Sequence, residues 1–300
     1  MPKHLLLFIN AHAGKSTIRE NIIDVLDIFT KNGWLVTTHI TQKPGEIQEL
    51  LPQYASQYDL VVASGGDGTL NETLSGVMLS EKKLPVGYLP TGTTNDFANS
   101  IGLPKATLEA AQVAVQGRGF QCDVGLFNDR HFAYVAAFGI FTEVSYSTPQ
   151  PAKNILGRAA YILEGIKSLT DVKTYQMQVE YEGGQLSGEF LFGMVSNSTS
   201  VGGFSLTNWL NVSMNDGLLE VILIRKPQSS QEFQNTIAAL IRNDLSHGCI
   251  YHFQTKSVRL SCLEALPWTL DGEFGGSLQN VQISLAEKAI TIMVPQALEK

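Results

Sequence analysis

Apolar positions over the first 120 residues recur in two alternating rhythms. Residues 3–10 form a short, nearly continuous apolar run, the pattern of a strand buried on both faces. Residues 16–29 then bring Ile18, Ile22, Val25, Leu26 and Phe29 onto one helical face. The alternation continues with a β-branched run at 35–41, a helical stretch at 44–57 interrupted by Pro52, and an apolar strand at 59–64. A helix at 69–78, a strand at 86–89 and a helix at 105–116 complete the series. Alternating β and α units predict a parallel sheet covered on both faces.

After Gly119 the texture changes. Strand-like runs at 120–127, 131–138, 176–181, 188–195, 218–224, 257–261 and 281–285 are separated by Gly, Asn and Asp turns. Two helical stretches, 157–168 and 230–242, interrupt them, and 289–294 reads as a last strand of ambiguous home. The second half is therefore predicted as an antiparallel, β-rich domain. The fold class that follows is α/β with two domains, residues 1–121 as an α/β nucleotide-binding domain and 122–288 as a β-sandwich-like domain. With no repeat, low-complexity tract or long linker, the two are expected to abut around a cleft.

Composition narrows the function. A hydrophobic fraction of 44% describes a chain that buries a sizeable core and excludes a disordered one. The 28 acidic and 21 basic residues leave a net charge of −7, which argues against a nucleic-acid partner. It leaves open an anionic membrane surface, where a local basic patch can act against the global sign. Three scattered cysteines, Cys122, Cys249 and Cys262, make neither a disulfide framework nor a zinc spacing, so a reducing cytoplasm is the expected compartment. The apolar N-terminal run is too short for a signal peptide, and no segment reads as a membrane span.

The sharpest chemical signal is Gly65-Gly66-Asp67-Gly68-Thr69, set between a predicted strand and a predicted helix. Glycines there let backbone N–H groups approach a ligand, and the helix N-terminus favours phosphate. Asp67 among phosphate donors suggests a cation; the alternative is a tight turn with Asp67 as a helix cap. A second loop, Pro90-Thr91-Gly92-Thr93-Thr94-Asn95-Asp96, follows the next strand and has ordinary capping chemistry on its own. The run Asn10-Ala11-His12-Ala13-Gly14-Lys15-Ser16 fails the P-loop pattern, because Ile9 stands where the first Gly belongs, but remains a small-residue loop able to make an accessory phosphate contact. Asp271-Gly272-Glu273 reads either as a hairpin turn, which the spacing alone favours, or as a rigidly held general base. Asn215-Asp216-Gly217 carries the same ambiguity between a turn and one ligand of a cation.

Gly65–Thr69 alone is shared by several ATP-using kinases. Together with Gly92-Thr93-Thr94-Asn95-Asp96-Phe97-Ala98, Asn215-Asp216-Gly217-Leu218-Leu219 and Asp271-Gly272-Glu273, it makes the chain resemble the soluble bacterial diacylglycerol kinase family, which is related to sphingosine and ceramide kinases. The resemblance spans nearly the whole chain. It implies an α/β ATP-binding domain to which the last strand, near 289–300, returns, and a β-sandwich domain. It also implies ATP contacts at Asn10, Ala11, His12, Ala13, Gly14, Thr41, Gly66, Asp67, Gly68, Thr69, Leu70, Asn71, Glu72 and Thr93. Asp271 matches the family's general base. Asp216 matches a ligand of a structural Mg²⁺, with Ser213 and Leu218 contributing largely through backbone oxygen, and Asp67 with Asp96 joins a carboxylate–water–Mg²⁺ network.

The implied activity is transfer of the γ-phosphoryl group of ATP to a diacylglycerol-like membrane lipid, by a cytoplasmic protein in peripheral contact with the inner face of the membrane; the family pattern is compatible with a homodimer. Phe138, Ile140, Phe141, Phe204 and Trp209 are candidates for a lipid entrance, with ordinary core as the expectation for any single one. Two departures stand out: Ala11 replaces a usual Pro, and Ser196–Gly203 lacks a nearby basic residue. The competing readings are a soluble-substrate kinase of the NAD kinase type and a non-catalytic nucleotide-binding regulator. Asp67, Asp216 and Asp271, all retained, count against the regulator.

Overall fold

The structure is a computed structural model that describes residues 2–11, 17–92, 95–140, 173–201, 204–205, 212–242 and 244–296. The chain divides into two compact units, Met1–Val124 with Glu287–Lys300, and Gly125–Ala286.

The first unit is built on four parallel strands, β1 (Lys3–Ile9), β2 (Trp34–Ile40), β3 (Leu60–Gly65) and β4 (Val86–Pro90), in the order β4-β3-β1-β2. All six residues of β3 and all five of β4 are buried, as a sheet covered on both faces requires. β2 lies at the edge and alternates between half-buried and exposed positions. Helices α1 (Thr17–Lys31), α2 (Glu46–Tyr54), α3 (Asp67–Leu79), α4 (Asp96–Ser100) and α5 (Thr107–Gln116) supply the cover. The apolar face of α1, with Ile18, Val25 and Phe29, packs with Leu5, Leu7, Leu60, Val62 and Ala110 into one core. α3 lies close on α2 because position 76 is glycine: a Cβ there would stand 3.0 Å from Leu51.

This strand order decides where a ligand belongs. From β1 the chain steps outward to β2, then returns to place β3 on the opposite side of β1. The order reverses between β1 and β3, and in open α/β sheets ligands settle beyond the carboxyl ends of the strands flanking such a reversal. Asn10 follows β1, and Gly66 and Asp67 follow β3.

The second unit is antiparallel. It includes β6 (Arg130–Phe132), β7 (Val135–Gly139), β8 (Tyr175–Tyr181), β9 (Gly184–Ser196), β12 (Leu219–Arg225), β13 (Ile250–Thr255) and β14 (Ser257–Leu270). Ser200–Val201 (β10) and Phe204–Ser205 (β11) form a small ribbon, and α6 (Ser230–Ile241) follows β12. β9 pairs with both β7 and β8, and β14 pairs with the same two, so these four strands close on themselves. Inside sit Trp268, with Phe127 and Phe138 against its edge at ring-centroid distances of 5.1 and 5.0 Å, and a shell that includes Met177, Val221, Leu260 and Ile283. Two long strands pass from one unit to the other: β5 (Arg118–Phe127), and β15 (Glu273–Val294), whose Ile292 pairs with Val86 of β4.

Several elements depart from the sequence-based reading. The stretch 281–285 and the strand 289–294 belong to one 22-residue strand, β15. β14 runs to Leu270 rather than ending at 261, and β13 was not anticipated. The predicted strand 131–138 is broken at Ala133–Tyr134, where backbone N–H groups bond a side chain instead of a neighbouring strand. The predicted helix at 157–168 lies outside the described residues.

Candidate functional site

In the first unit two glycine loops are locked together. Gly66 caps α3 in an extended conformation, so Asp67 and Gly68 open the helix with their N–H groups facing away from its body. The neighbouring loop packs directly on it: a Cβ on Gly92 would stand 2.6 Å from the Gly66 Cα, and one on Gly65 would stand 2.2 Å from the Thr69 hydroxyl oxygen. Thr91 N–H donates to the Gly65 carbonyl at 2.8 Å. Asn95, left-handed at φ 51°, clamps the second loop by accepting from Gly92 N–H at 3.1 Å and donating to the Gly92 carbonyl at 2.9 Å. Asp67 Oδ2 accepts the Asp96 N–H at 3.4 Å, which brings these two carboxylates to adjoining turns.

Across the reversal point, Asn10 Nδ2 donates to Thr69 Oγ1 at 3.1 Å, and Thr41 N–H bonds the Ile9 carbonyl at 3.0 Å. Residues from the ends of β1, β2, β3 and β4 are thus gathered at one edge of the sheet. Leu70 is core; Asn71, whose Oδ1 accepts from Ser75, and Glu72 are partly exposed on α3. Ala11 is described, whereas His12, Ala13, Gly14 and Thr93 lie outside the described residues. Tyr88 is buried beneath the loops; burial and the Asp67 charge push its phenol well above the usual value, so it is a neutral donor, aimed at the Gly65 carbonyl and Asn95.

In the second unit, Leu270 and Glu273 pair across a two-residue turn in which Asp271 and Gly272 have φ of 51° and 88°. Two positive φ values define the tight hairpin whose twist matches the strands. Asp271 is buried, and its carboxylate accepts three backbone N–H groups: Ala133 on Oδ2 at 2.6 Å, and Tyr134 and Val135 on Oδ1 at 2.9 and 3.0 Å. Asp271 N–H returns a bond to the Val135 carbonyl at 2.8 Å. The motif is thus a hairpin turn, and its Asp271 carboxylate is rigidly held. Glu273, two residues on, is exposed, and among the described residues nothing holds its carboxylate.

The third group lies before β12. Asp216 is exposed and its Oδ1 accepts Leu218 N–H at 3.1 Å, while Ser213 Oγ donates to Asn215 Oδ1 at 2.9 Å. Beside them is a residue that pattern reading passed over. Glu220, the second residue of β12, is fully buried; Gln254 donates to its Oε1 at 3.2 Å and its Oε2 has no partner. Burial, reinforced by the Asp216 charge, raises its carboxyl to about 8. A single acid inside the apolar run 218–224 was the available signal. Of the proposed lipid-entrance residues, Phe138 is core and Ile140 packs on a satellite cluster with Leu191 and Phe233. Phe141 and Trp209, and the side chain of Phe204, lie outside the described residues.

Comparison with known proteins finds two family models in succession along the chain. Residues 4–127 match the model of the diacylglycerol kinase catalytic domain, and 136–299 match that of the YegS C-terminal NAD kinase beta sandwich-like domain. A diacylglycerol kinase of Bacillus subtilis (strain 168) is 29% identical over 99% of both chains. Another, of Staphylococcus carnosus (strain TM300), is 30% identical over 93% of this chain and 91% of its own. A crystal structure of a Bacillus anthracis str. Sterne protein, provisionally named a diacylglycerol kinase, superposes with a TM-score of 0.84 at 26% identity, covering 99% of each chain. With an α/β catalytic domain, a sandwich domain and relatives that match end to end, the chain belongs to the diacylglycerol kinase family of phosphotransferases.

Proposed function

We propose that this protein transfers the γ-phosphoryl group of ATP to the free hydroxyl of a diacylglycerol-type membrane lipid, giving phosphatidic acid and ADP. The observation that carries the lipid acceptor is the end-to-end match to relatives named diacylglycerol kinase. The glycine loops explain the donor. With Gly66 packed against Gly92 and Gly65 against Thr69, the backbone at the start of α3 leaves room for phosphate oxygens, and Asn10, Thr41 and Thr69 stand at the same strand ends.

The acceptor must lose a proton as its oxygen forms the new bond to phosphorus and the bond from the γ-phosphorus to the bridging oxygen of ADP breaks. In this reading the base comes from the Asp271-Gly272-Glu273 hairpin. A carboxylate has about four lone-pair positions, and three backbone donors occupy most of those on Asp271. Such bonds favour the ionised form and lower its appetite for a proton. This geometry supports a division of labour: Asp271 anchors the turn, and Glu273, held at the start of β15 with its carboxylate unbonded among the described residues, takes the proton.

The residues around Asp216 fit a hard divalent cation. They are oxygen donors, and Glu220, two residues past Leu218, adds a buried carboxyl with one unpaired oxygen. Asp216, with backbone oxygens of Ser213 and Leu218, would hold a structural Mg²⁺, and Asp67 with Asp96 would face a second. Bound near the phosphates, such an ion offsets charge on the transferring oxygens. Among the described residues no helix is long and apolar enough to cross a membrane, so the proposed contact with lipid is peripheral.

A second reading is favoured by the NAD kinase-like sandwich match: a kinase acting on a soluble alcohol. Labelled γ-phosphate from Mg·ATP, offered to a total lipid extract with and without NAD, separates the two. Label in one lipid product, lost in the Glu273→Gln protein, is the expected result. Label in the soluble fraction alone would overturn the lipid assignment.

A further inference from the structure

Tyr88 is the single polar side chain of β4, and it is wholly buried. A phenol taken out of water needs a partner to offset the loss, so packing alone would be served better by phenylalanine. The hydroxyl has two partners, and they belong to different loops. One is the Gly65 carbonyl at 3.3 Å, at the head of the loop that opens α3. The other is Asn95 Oδ1 at 3.4 Å, in the loop that follows β4. A phenol carries one proton, so two acceptors at nearly equal distance describe a shared, three-centre bond. The phenol reinforces a junction that other bonds already define: the Gly65 carbonyl also accepts Thr91 N–H, and Asn95 Oδ1 also accepts Gly92 N–H. Asn95 depends on it most. Its left-handed φ of 51° is costly for a residue with a side chain and persists only where the surroundings hold it. Among the described residues, that hold consists of the Gly92 N–H, the Gly92 carbonyl and the Tyr88 hydroxyl.

We infer that Tyr88 is a positioning residue for the nucleotide: its hydroxyl fixes the spacing of the two glycine loops before ATP arrives. The inference rests on the reading of these loops as the phosphate site. Wholly buried, the ring has no surface to offer a ligand, and its effect passes through the Gly65 carbonyl and the Asn95 side chain. Loops already in place in the free protein spare the nucleotide the cost of ordering them, which raises its affinity. The contact between Gly66 and Gly92 makes that spacing exacting, because a single added carbon on Gly92 would stand 2.6 Å from the Gly66 Cα. The phenol touches neither ATP nor the transferring group, so ground state and transition state gain equally. Its contribution therefore belongs to KM for ATP and not to kcat.

The test is Tyr88→Phe in the full chain, which removes the hydroxyl and keeps the ring. Calorimetric titration with Mg·ADP gives affinity, and initial rates on vesicles containing diacylglycerol give KM for ATP, KM for lipid and kcat. Nucleotide affinity should fall about three- to tenfold, the worth of one hydrogen bond, with KM for ATP rising in step. Turnover at saturating ATP, KM for lipid and the melting temperature of the nucleotide-free protein should stay close to the wild type. In an Asn95→Ala background the same substitution should cost less than it does alone, because one of the two acceptors is already gone. Unchanged nucleotide affinity in Tyr88→Phe would overturn the inference while leaving the loops as the phosphate site. A fall in kcat and melting temperature together, with KM for ATP unmoved, would show a packing role and also refute it. A fully additive loss in the double variant would refute the bridge to Asn95. A wild-type protein that binds no Mg·ADP would overturn the nucleotide reading of the loops, and the inference with it.

Discussion

Asp271 and Glu273 sit on one hairpin, and the proposed reading gives them opposite tasks, so their substitution should separate stability from activity. Asp271→Ala removes the acceptor of the Ala133, Tyr134 and Val135 N–H groups, all in buried surroundings. Each orphaned buried donor costs about 1–3 kcal/mol. Water at the turn relieves some of this, so the total should be about 3–6 kcal/mol, a large part of the ~5–15 kcal/mol that holds a domain together. The corresponding fall in melting temperature is on the order of 10 °C. Asp271→Asn keeps an oxygen for Tyr134 and Val135 but turns an N–H₂ toward Ala133, and should lose about half as much. Glu273→Gln touches no buried donor, so its stability should stay within about 0.5 kcal/mol, while its kcat falls by about 10²–10⁴, the usual worth of a general base. Urea denaturation at pH 7, run beside initial rates of phosphatidic acid formation, measures both. An Asp271→Ala protein as stable as the wild type but inactive would refute the anchoring role and return the base to Asp271.

Three further outcomes follow from particular contacts. Gly92→Ala places a methyl group 2.6 Å from the Gly66 Cα, so the loops must part; KM for ATP should rise at least about tenfold with little change in far-UV circular dichroism. Glu220, with its carboxyl raised from 4.5 to about 8, favours the folded state while neutral. Metal-free protein should therefore be most stable below about pH 4.5 on this account and lose stability as pH rises toward 8, by at most ~5 kcal/mol. Glu220→Gln should flatten that slope in pH-dependent melting. Ser229 caps α6 by accepting Glu232 N–H at 3.1 Å, and Ser229→Ala should cost about 1 kcal/mol in urea unfolding.

The first unit was legible because its physics is local. Runs such as Leu60–Gly65 are apolar throughout since both faces of a parallel sheet are covered, and the amphipathic face of α1 repeats at helical spacing. The second unit hid more. β14 contains Pro267 and β15 contains Gly275 and Gly276, which read as strand breakers; β14 and β15 nevertheless pair across these positions by shifting register. β13 exposes or half-exposes Tyr251, His252, Phe253 and Gln254, so its period blurs at the sheet edge. The turn at Asp271-Gly272 was visible from the dipeptide, but its acceptance of three amides from residues 133–135 is a contact across more than 130 positions that no local pattern encodes. The two glycine loops could be placed from glycine spacing, whereas the mutual packing of Gly66 and Gly92 required the strand order.

The central claim is a lipid hydroxyl as acceptor and ATP as donor. It is tested most directly by presenting vesicles containing diacylglycerol, and separately NAD, to the purified protein with Mg·ATP and identifying the phosphorylated product by mass spectrometry. Phosphatidic acid formed in step with ADP, with NAD untouched, is the predicted result. Phosphorylated NAD, or ADP released with no phosphorylated lipid, would contradict the account.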